Sequence, residues 1–178
     1  MIAYLDASAL VKRYPLERGS RETIEFTSRA ELTATSIISR AEVAAGLAKA
    51  VRARVVMDDV AKRAQRSFAG DWPDLLRISV TEALVERADS LAWVHGLRGY
   101  DAVHLASALT WRESAGEEVV LATFDQQLWE AGKRTGLRPW PEQLSGTSGR
   151  EAAPEQRGLN HAQGRIDRHK TGTAAVST

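Results

Sequence analysis

Four acidic residues stand where carboxylates could carry out chemistry: Asp6, Glu42, Asp101 and Asp125. Asp6 directly follows a short apolar run and Asp125 lies just beyond a second one, and ligands of open parallel sheets bind at the carboxyl ends of such strands. Carboxylates held close together repel one another, and a divalent cation removes that repulsion. An all-oxygen cluster suits Mg²⁺ or Mn²⁺, which can lower the pKa of a bound water and clamp a phosphate oxygen. Phosphodiester hydrolysis requires this combination.

The other two acids have different surroundings. Asp101 follows Gly99 at the predicted start of a helix, where the helix dipole favours a negative charge. Glu42 lies in a predicted helix among alanines and a valine, which favours a side chain directed into a pocket. Taken singly, each of the four acids could instead be a helix cap or a solvated side chain. Their joint placement is what predicts a metal site.

Two hydroxyl residues accompany the acids. Ser8 lies two residues after Asp6, and Thr123 lies two residues before Asp125. Either hydroxyl could hydrogen-bond a carboxylate and so orient the site. For Ser8 the alternative is simple capping of a helix over residues 9–14.

His104 lies one helical turn after Asp101 and shares its face. We expect it to be a partly buried packing residue rather than a catalytic residue or a ligand. Basic residues flank the acids and could form a rim that attracts a phosphate backbone, or could be ordinary solvated side chains. They are Lys12, Arg13, Arg40 and Arg98.

Apolar runs and helical periodicity alternate along the chain. Strands are predicted over residues 2–5, 32–35, 75–80, 118–122 and 137–140. Helices are predicted over residues 9–14, 21–29, 36–51, 54–68, 82–95 and 100–114, with a last helix ending at residue 133. This alternation predicts an α/β fold with a parallel sheet covered on both faces, and the helices on either side of residue 53 form a hairpin.

Three local features make this assignment testable. Pro139 predicts that the last strand lies at an edge of the sheet. Thr81 is predicted to cap the helix that follows it, and Ser20 to cap a helix over residues 21–29. The helix after Thr81 is expected to direct Trp93 inward, together with Leu84, Ala88 and Leu91.

The 178 residues suggest one domain over residues 1–144 and a polar tail over residues 145–178, which we predict to be disordered and either inert or a weak electrostatic arm. The absence of cysteine excludes disulfides and thiolate metal sites. No signal-peptide pattern and no apolar run of ~20 residues occurs, so we expect a cytoplasmic protein without a membrane partner. With a net charge of +1, a nucleic-acid partner must be held by a local basic patch.

Four segments together resemble the signature motifs of PIN-domain ribonucleases, and in particular the toxin subunits of VapBC toxin–antitoxin systems. They are YLDASAL (residues 4–10), SRAE (39–42), YDAVHLA (100–106) and ATFD (122–125), in family order over about residues 1–140. The resemblance implies a three-layer α/β/α sandwich whose metal ligands are Asp6, Glu42, Asp101 and Asp125, with Thr123 supporting the last acid. It also implies Mg²⁺- or Mn²⁺-dependent endoribonuclease activity and an antitoxin bound over or beside the site.

The predicted partners are therefore RNA and a VapB-like antitoxin, which would insert an arginine among the acids or cover the groove beside them. The hairpin over residues 37–68 is the candidate contact, because both of its helices carry apolar residues; these could equally pack the hairpin itself or a homodimer. The rival function is a catalytically silent PIN-like module that binds protein or RNA. A haloacid-dehalogenase-type phosphatase is disfavoured because Ser8 stands where a second aspartate is needed.

Overall fold

The computed structural model describes residues 1–14 and 19–144, and its elements alternate between strands and helices. The strands are β1 (Ile2–Leu5), β2 (Leu32–Ser36), β3 (Leu76–Ile78), β4 (Val119–Ala122) and β5 (Arg138–Trp140). The helices are α1 (Ala7–Val11), α2 (Ser20–Ser28), α3 (Ser39–Arg52), α4 (Asp58–Asp71), α5 (Glu82–His95), α6 (Gly99–Ala115) and α7 (Gln126–Arg134). A 3₁₀ turn over Trp72–Asp74 follows α4.

The five strands form one sheet in the order β3-β2-β1-β4-β5, and every neighbouring pair is parallel. The strand β1 is central, with Leu5 opposite Ala122 of β4. The predicted parallel sheet is confirmed, and β5 lies at an edge as Pro139 indicated. The carboxyl ends of β1 and β4 are therefore neighbours, which brings the residues that follow them together.

Helices cover both faces of this sheet, which makes a three-layer α/β/α sandwich. Successive side chains of a strand point to opposite faces, so Ile2 and Tyr4 pack under α5, α6 and α7. Ala3 and Leu5 enter the second core, under α1, α2, α3 and α4. All four residues of β1 are buried because both faces are covered.

Some of the predicted helix ends are wrong. Asp6, not Ser8, caps α1 by accepting a hydrogen bond from the Ala9 amide. Gly19 occupies the cap position of α2, which begins at Ser20. The second helix of the hairpin begins at Asp58 rather than at residue 54, because residues 53–57 form the turn between the two helices.

The prediction for α5 is partly confirmed. Thr81 caps this helix through a hydrogen bond from the Leu84 amide. Leu84 and Ala88 are buried, but Trp93 is 91% exposed, so its predicted inward position is wrong. The predicted tail over residues 145–178 lies outside the described residues. Within the described part of the chain, no helix is long and apolar enough to cross a membrane.

Candidate active site at the carboxyl edge of the sheet

Asp6 lies at the end of the central strand and is almost fully buried, with 4% exposure. Its Oδ1 accepts hydrogen bonds from the Ala9 amide at 2.8 Å and from Ser8 Oγ at 2.7 Å. Its Oδ2 accepts from Thr123 Oγ1 at 2.7 Å and lies 2.9 Å from Ser8 Oγ. Burial raises the pKa of the Asp6 carboxyl, although these hydrogen-bond donors act in the opposite direction.

The two hydroxyl residues connect the ends of β1 and β4. Ser8 Oγ accepts a hydrogen bond from the Phe124 amide at 2.8 Å while it donates to Asp6. Thr123 Oγ1 accepts from the Asp125 amide at 3.1 Å while it donates to the same carboxylate. Each hydroxyl therefore holds Asp6 in place and also fixes the loop that leads to Asp125.

Asp101 and Asp125 are bridged by Arg98, which immediately precedes α6. Its Nε donates to Asp101 Oδ2 at 2.7 Å and its Nη2 donates to Asp125 Oδ2 at 2.6 Å. Asp125 also caps α7, because its Oδ1 accepts from the Leu128 amide at 3.0 Å. Burial raises the pKa of Asp101 and the Asp125 charge adds to this, whereas the hydrogen bond from Arg98 opposes it.

Glu42 lies in the first turn of α3 and faces His104, which was expected only to pack in the core. His104 Nε2 is 2.8 Å from Glu42 Oε2, and His104 Nδ1 is 2.9 Å from the hydroxyl oxygen of Tyr4. The histidine is indeed buried, with 2% exposure. It is nevertheless in direct contact with one of the four acids.

All four acids line one cavity of about 540 Å³ at this edge of the sheet. Ser8, Arg98 and His104 line it as well, whereas Thr123 lies behind Asp6 and is buried. A second wall of the cavity is apolar and consists of Val11, Val43, Leu47, Ala50, Val55 and Val56. The cavity is therefore lined by both acidic and apolar side chains.

The basic rim differs from the prediction. Lys12 lies over the ring of Phe124 at 4.6 Å, and Arg40 lies over the ring of Trp72 at 5.6 Å. Arg13 is 3.8 Å from Asp71. Of the four basic residues named from the sequence, only Arg98 lines the cavity.

Lys49 lines the cavity together with Arg98 and was not predicted from the sequence. Lys49 follows Glu42 by seven residues on α3, which is about two helical turns and places both on one face. That spacing was the signal that could have identified it.

The carboxylate oxygens of the four acids are the donors that Mg²⁺ and Mn²⁺ prefer, so the site is chemically suited to such an ion. Within residues 1–14 and 19–144, no three His, Asp or Glu side chains are arranged to hold a metal ion as they stand. Each of the four acids instead has a protein partner, since Arg98 bridges two of them, His104 contacts a third, and hydroxyl and amide donors surround Asp6. Arg98 therefore occupies one oxygen of each of two acids in this structure.

The protein is a parallel α/β/α sandwich with four acids at the carboxyl edge of its sheet. Comparison with known proteins identifies the family to which it belongs. Residues 3–133 match the family model for the PIN domain. Ribonuclease VapC45 and Ribonuclease VapC49, from two strains of Mycobacterium tuberculosis, are each 33% identical to the chain over 143 residues, which is 80% of this chain and 97% of each relative. The chain belongs to the PIN domain family, and the resemblance inferred from its four motifs is confirmed.

Two solved structures show the same fold. PAE2754 from Pyrobaculum aerophilum matches with a TM-score of 0.55 and 22% identity, over 78% of this chain and 83% of that one. VapBC2 from Rickettsia felis, solved bound to a DNA fragment from its promoter, matches with a TM-score of 0.53 and 16% identity, over 78% of this chain and 97% of that one.

Proposed function

We propose that this protein is a Mg²⁺- or Mn²⁺-dependent endoribonuclease that acts as the toxin of a toxin–antitoxin pair. The observation that carries the proposal is that four carboxylates from separate segments line one cavity at the carboxyl edge of the sheet. The two curated relatives, both named as VapC ribonucleases, support the choice of RNA as the substrate. The proposal places the protein in the cytoplasm, where RNA is available.

The residues that would hold the ion are Asp6, Glu42, Asp101 and Asp125. A bound divalent ion would neutralise these acids, polarise a phosphate oxygen and lower the pKa of a water molecule. Asp6 is the rigid member of the set because Ser8 and Thr123 hold it from both sides. Arg98 and Lys49 supply the positive charge that attracts the RNA backbone to an otherwise acidic cavity.

We further propose that a VapB-like antitoxin covers the apolar wall of the cavity and so blocks access to the acids. Val55, which lines the cavity, is 76% exposed and is therefore accessible to a partner. An arginine of the antitoxin would have to compete with Arg98 for Asp101 and Asp125. Co-expression with the product of a neighbouring small reading frame, followed by pull-down, tests this part of the proposal.

The catalytic part is tested by incubating a mixed RNA pool with the purified protein, with Mn²⁺ or with excess EDTA. We expect cleavage only with the metal, and products with 5′-phosphate and 3′-hydroxyl ends, because water is the expected nucleophile. Asp101→Asn should abolish cleavage, whereas Asp74→Asn, at an exposed acid outside the cavity, should not. A folded protein that cleaves no RNA with Mn²⁺ would instead be the silent PIN-like module.

A further inference from the structure

A series of three side chains in contact with one another runs from the cavity into the core beneath it. Glu42 on α3 contacts His104 on α6, and His104 contacts Tyr4 in the central strand, at 2.8 Å and 2.9 Å. Tyr4 is fully buried, and its ring meets the His104 ring edge to face with centroids 5.9 Å apart. Three different elements therefore converge on one imidazole.

The chemistry of the three side chains determines which atoms donate hydrogen bonds and which accept them. An ionised carboxylate only accepts hydrogen bonds, so His104 Nε2 must carry the proton that meets Glu42. A neutral imidazole then accepts at Nδ1, and the phenol of Tyr4 donates to it. Tyr4 thus selects the tautomer of His104 that donates to Glu42, as carboxylate or carbonyl partners do for metal-binding histidines.

The second oxygen of Glu42 is left for the cavity. Among residues 1–14 and 19–144, only Oε2 of this carboxylate has a hydrogen-bond partner, and the Glu42 side chain is 21% exposed. A glutamate side chain has three rotatable bonds, so one fixed oxygen removes much of its conformational freedom before a ligand arrives.

We propose that His104 and Tyr4 are positioning residues that hold one oxygen of Glu42 so that the other faces the cavity and can take a divalent cation. This inference rests on the proposed function, because it assumes that Glu42 is a ligand. His104 acts through Glu42 and touches neither the cation nor the substrate.

Mn²⁺ affinity of the purified full-length chain tests the proposal without any RNA. His104→Leu keeps a buried side chain of similar size but removes the donor, and should weaken Mn²⁺ binding about 10–100-fold. His104→Gln carries an amide N–H that can reach the same carboxylate, and should restore most of the affinity. If both variants are folded and bind Mn²⁺ as the parent does, the proposal is overturned.

A matched pair of tyrosine variants separates positioning from packing. Tyr14 is also buried, and its hydroxyl donates to Asp71 at 3.0 Å, away from the cavity. Tyr4→Phe should weaken Mn²⁺ binding, though less than His104→Leu does, whereas Tyr14→Phe should leave it unchanged. Equal Mn²⁺ affinities for the two tyrosine variants would show that the Tyr4 hydroxyl has no positioning role.

The tautomer of His104 gives a readout that is independent of metal. In the metal-free protein, long-range proton–nitrogen NMR correlations should show the proton on Nε2. A proton on Nδ1 in a chain that still binds Mn²⁺ would overturn the positioning role and leave the proposed function intact. A chain with the Nε2 tautomer that binds no Mn²⁺ would overturn both, since Glu42 would then have no cation to hold.

Discussion

Removing Arg98 should strengthen the binding of a divalent cation. Its guanidinium bridges Asp101 and Asp125 at 2.7 Å and 2.6 Å and so occupies one carboxylate oxygen of each of two acids that would hold the ion. Arg98 and a cation are therefore alternative partners of the same two acids. The variant Arg98→Ala removes this competition, so in the metal-free variant the carboxylates of Asp101 and Asp125 can bind a cation without first breaking an ion pair.

The expected change in Mn²⁺ affinity can be derived from the solvent exposure of the Arg98 ion pairs. The Arg98 side chain is 70% exposed, and ion pairs open to water are each worth roughly 0.2–1 kcal/mol. The Asp101 and Asp125 side chains are more buried, at 13% and 25% exposure. We therefore assign about 1 kcal/mol to the two Arg98 ion pairs together. This corresponds to an apparent Mn²⁺ Kd about fivefold lower in Arg98→Ala than in the parent.

Isothermal titration with Mn²⁺ at low ionic strength measures this difference, which added salt should reduce because it screens exposed pairs. Arg87→Ala is the matched control, since Arg87 pairs with Glu113 through two 2.6 Å hydrogen bonds and does not line the cavity. We expect no change in the Mn²⁺ Kd of that variant. An unchanged or weaker Kd in folded Arg98→Ala would refute the competition.

Three further predictions follow from packing, burial and the protein donors around the acids. Gly132→Ala should lower the free energy of unfolding by about 1–3 kcal/mol, because its Cβ would lie 2.5 Å from Cδ2 of the fully buried Leu121; Gly70→Ala, with no atom within 4 Å, should raise it by up to about 1 kcal/mol in the same urea titration. The pKa of Asp101 is raised, so the folded state binds the Asp101 proton more tightly than the unfolded state does. The protonated Asp101 therefore stabilises the fold below the ordinary carboxyl pKa of 3.8, and this stabilisation is lost as the pH rises through the raised pKa. Metal-free Asp101→Asn should therefore be at least as stable as the parent at neutral pH, and unfolding measured over a pH series should show that advantage shrinking toward acid pH; a constant difference would contradict this account. Finally, excess EDTA should leave the circular dichroism spectrum of the folded protein unchanged, because each of the four acids has a protein donor, and should lower the Tm only by the stabilisation that a bound cation adds; unfolding on chelation would show that the metal is structural.

The sequence allowed us to predict that the four acids lie close together, but not which residues contact them. Asp6 and Asp125 could be identified because each follows a buried apolar run, and such runs are readable without a structure. The sequence could not show which residue caps α1, because aspartate and serine are equally good caps. In the structure Ser8 Oγ instead accepts a hydrogen bond from the Phe124 amide. That amide is 116 residues away, so no local pattern could reveal it.

The contacts of His104 were missed for the same reason. Its two partners, Tyr4 and Glu42, are separated from it by 100 and 62 residues, and only the sheet and α3 bring them together. Trp93 was misplaced because large aromatic side chains are usually buried, whereas this one lies on the outer face of α5. Strand order could not be predicted either, since alternation of strands and helices implies parallel pairing but not which strands are neighbours.

The central position of β1 has a consequence for synthesis on the ribosome. The hydrogen bond from Thr123 to Asp6 joins residues 117 positions apart, and β1 pairs with β4 over the same separation. At about 5–20 residues per second, roughly 6–23 s pass between the synthesis of Asp6 and that of Thr123. During this interval β1 has one unpaired edge, and the growing chain lacks Thr123, Asp125 and the loop that fixes them. A nascent chain therefore cannot have the complete acidic cavity, and any ribonuclease activity of this site begins only once β4 and the residues after it have been made.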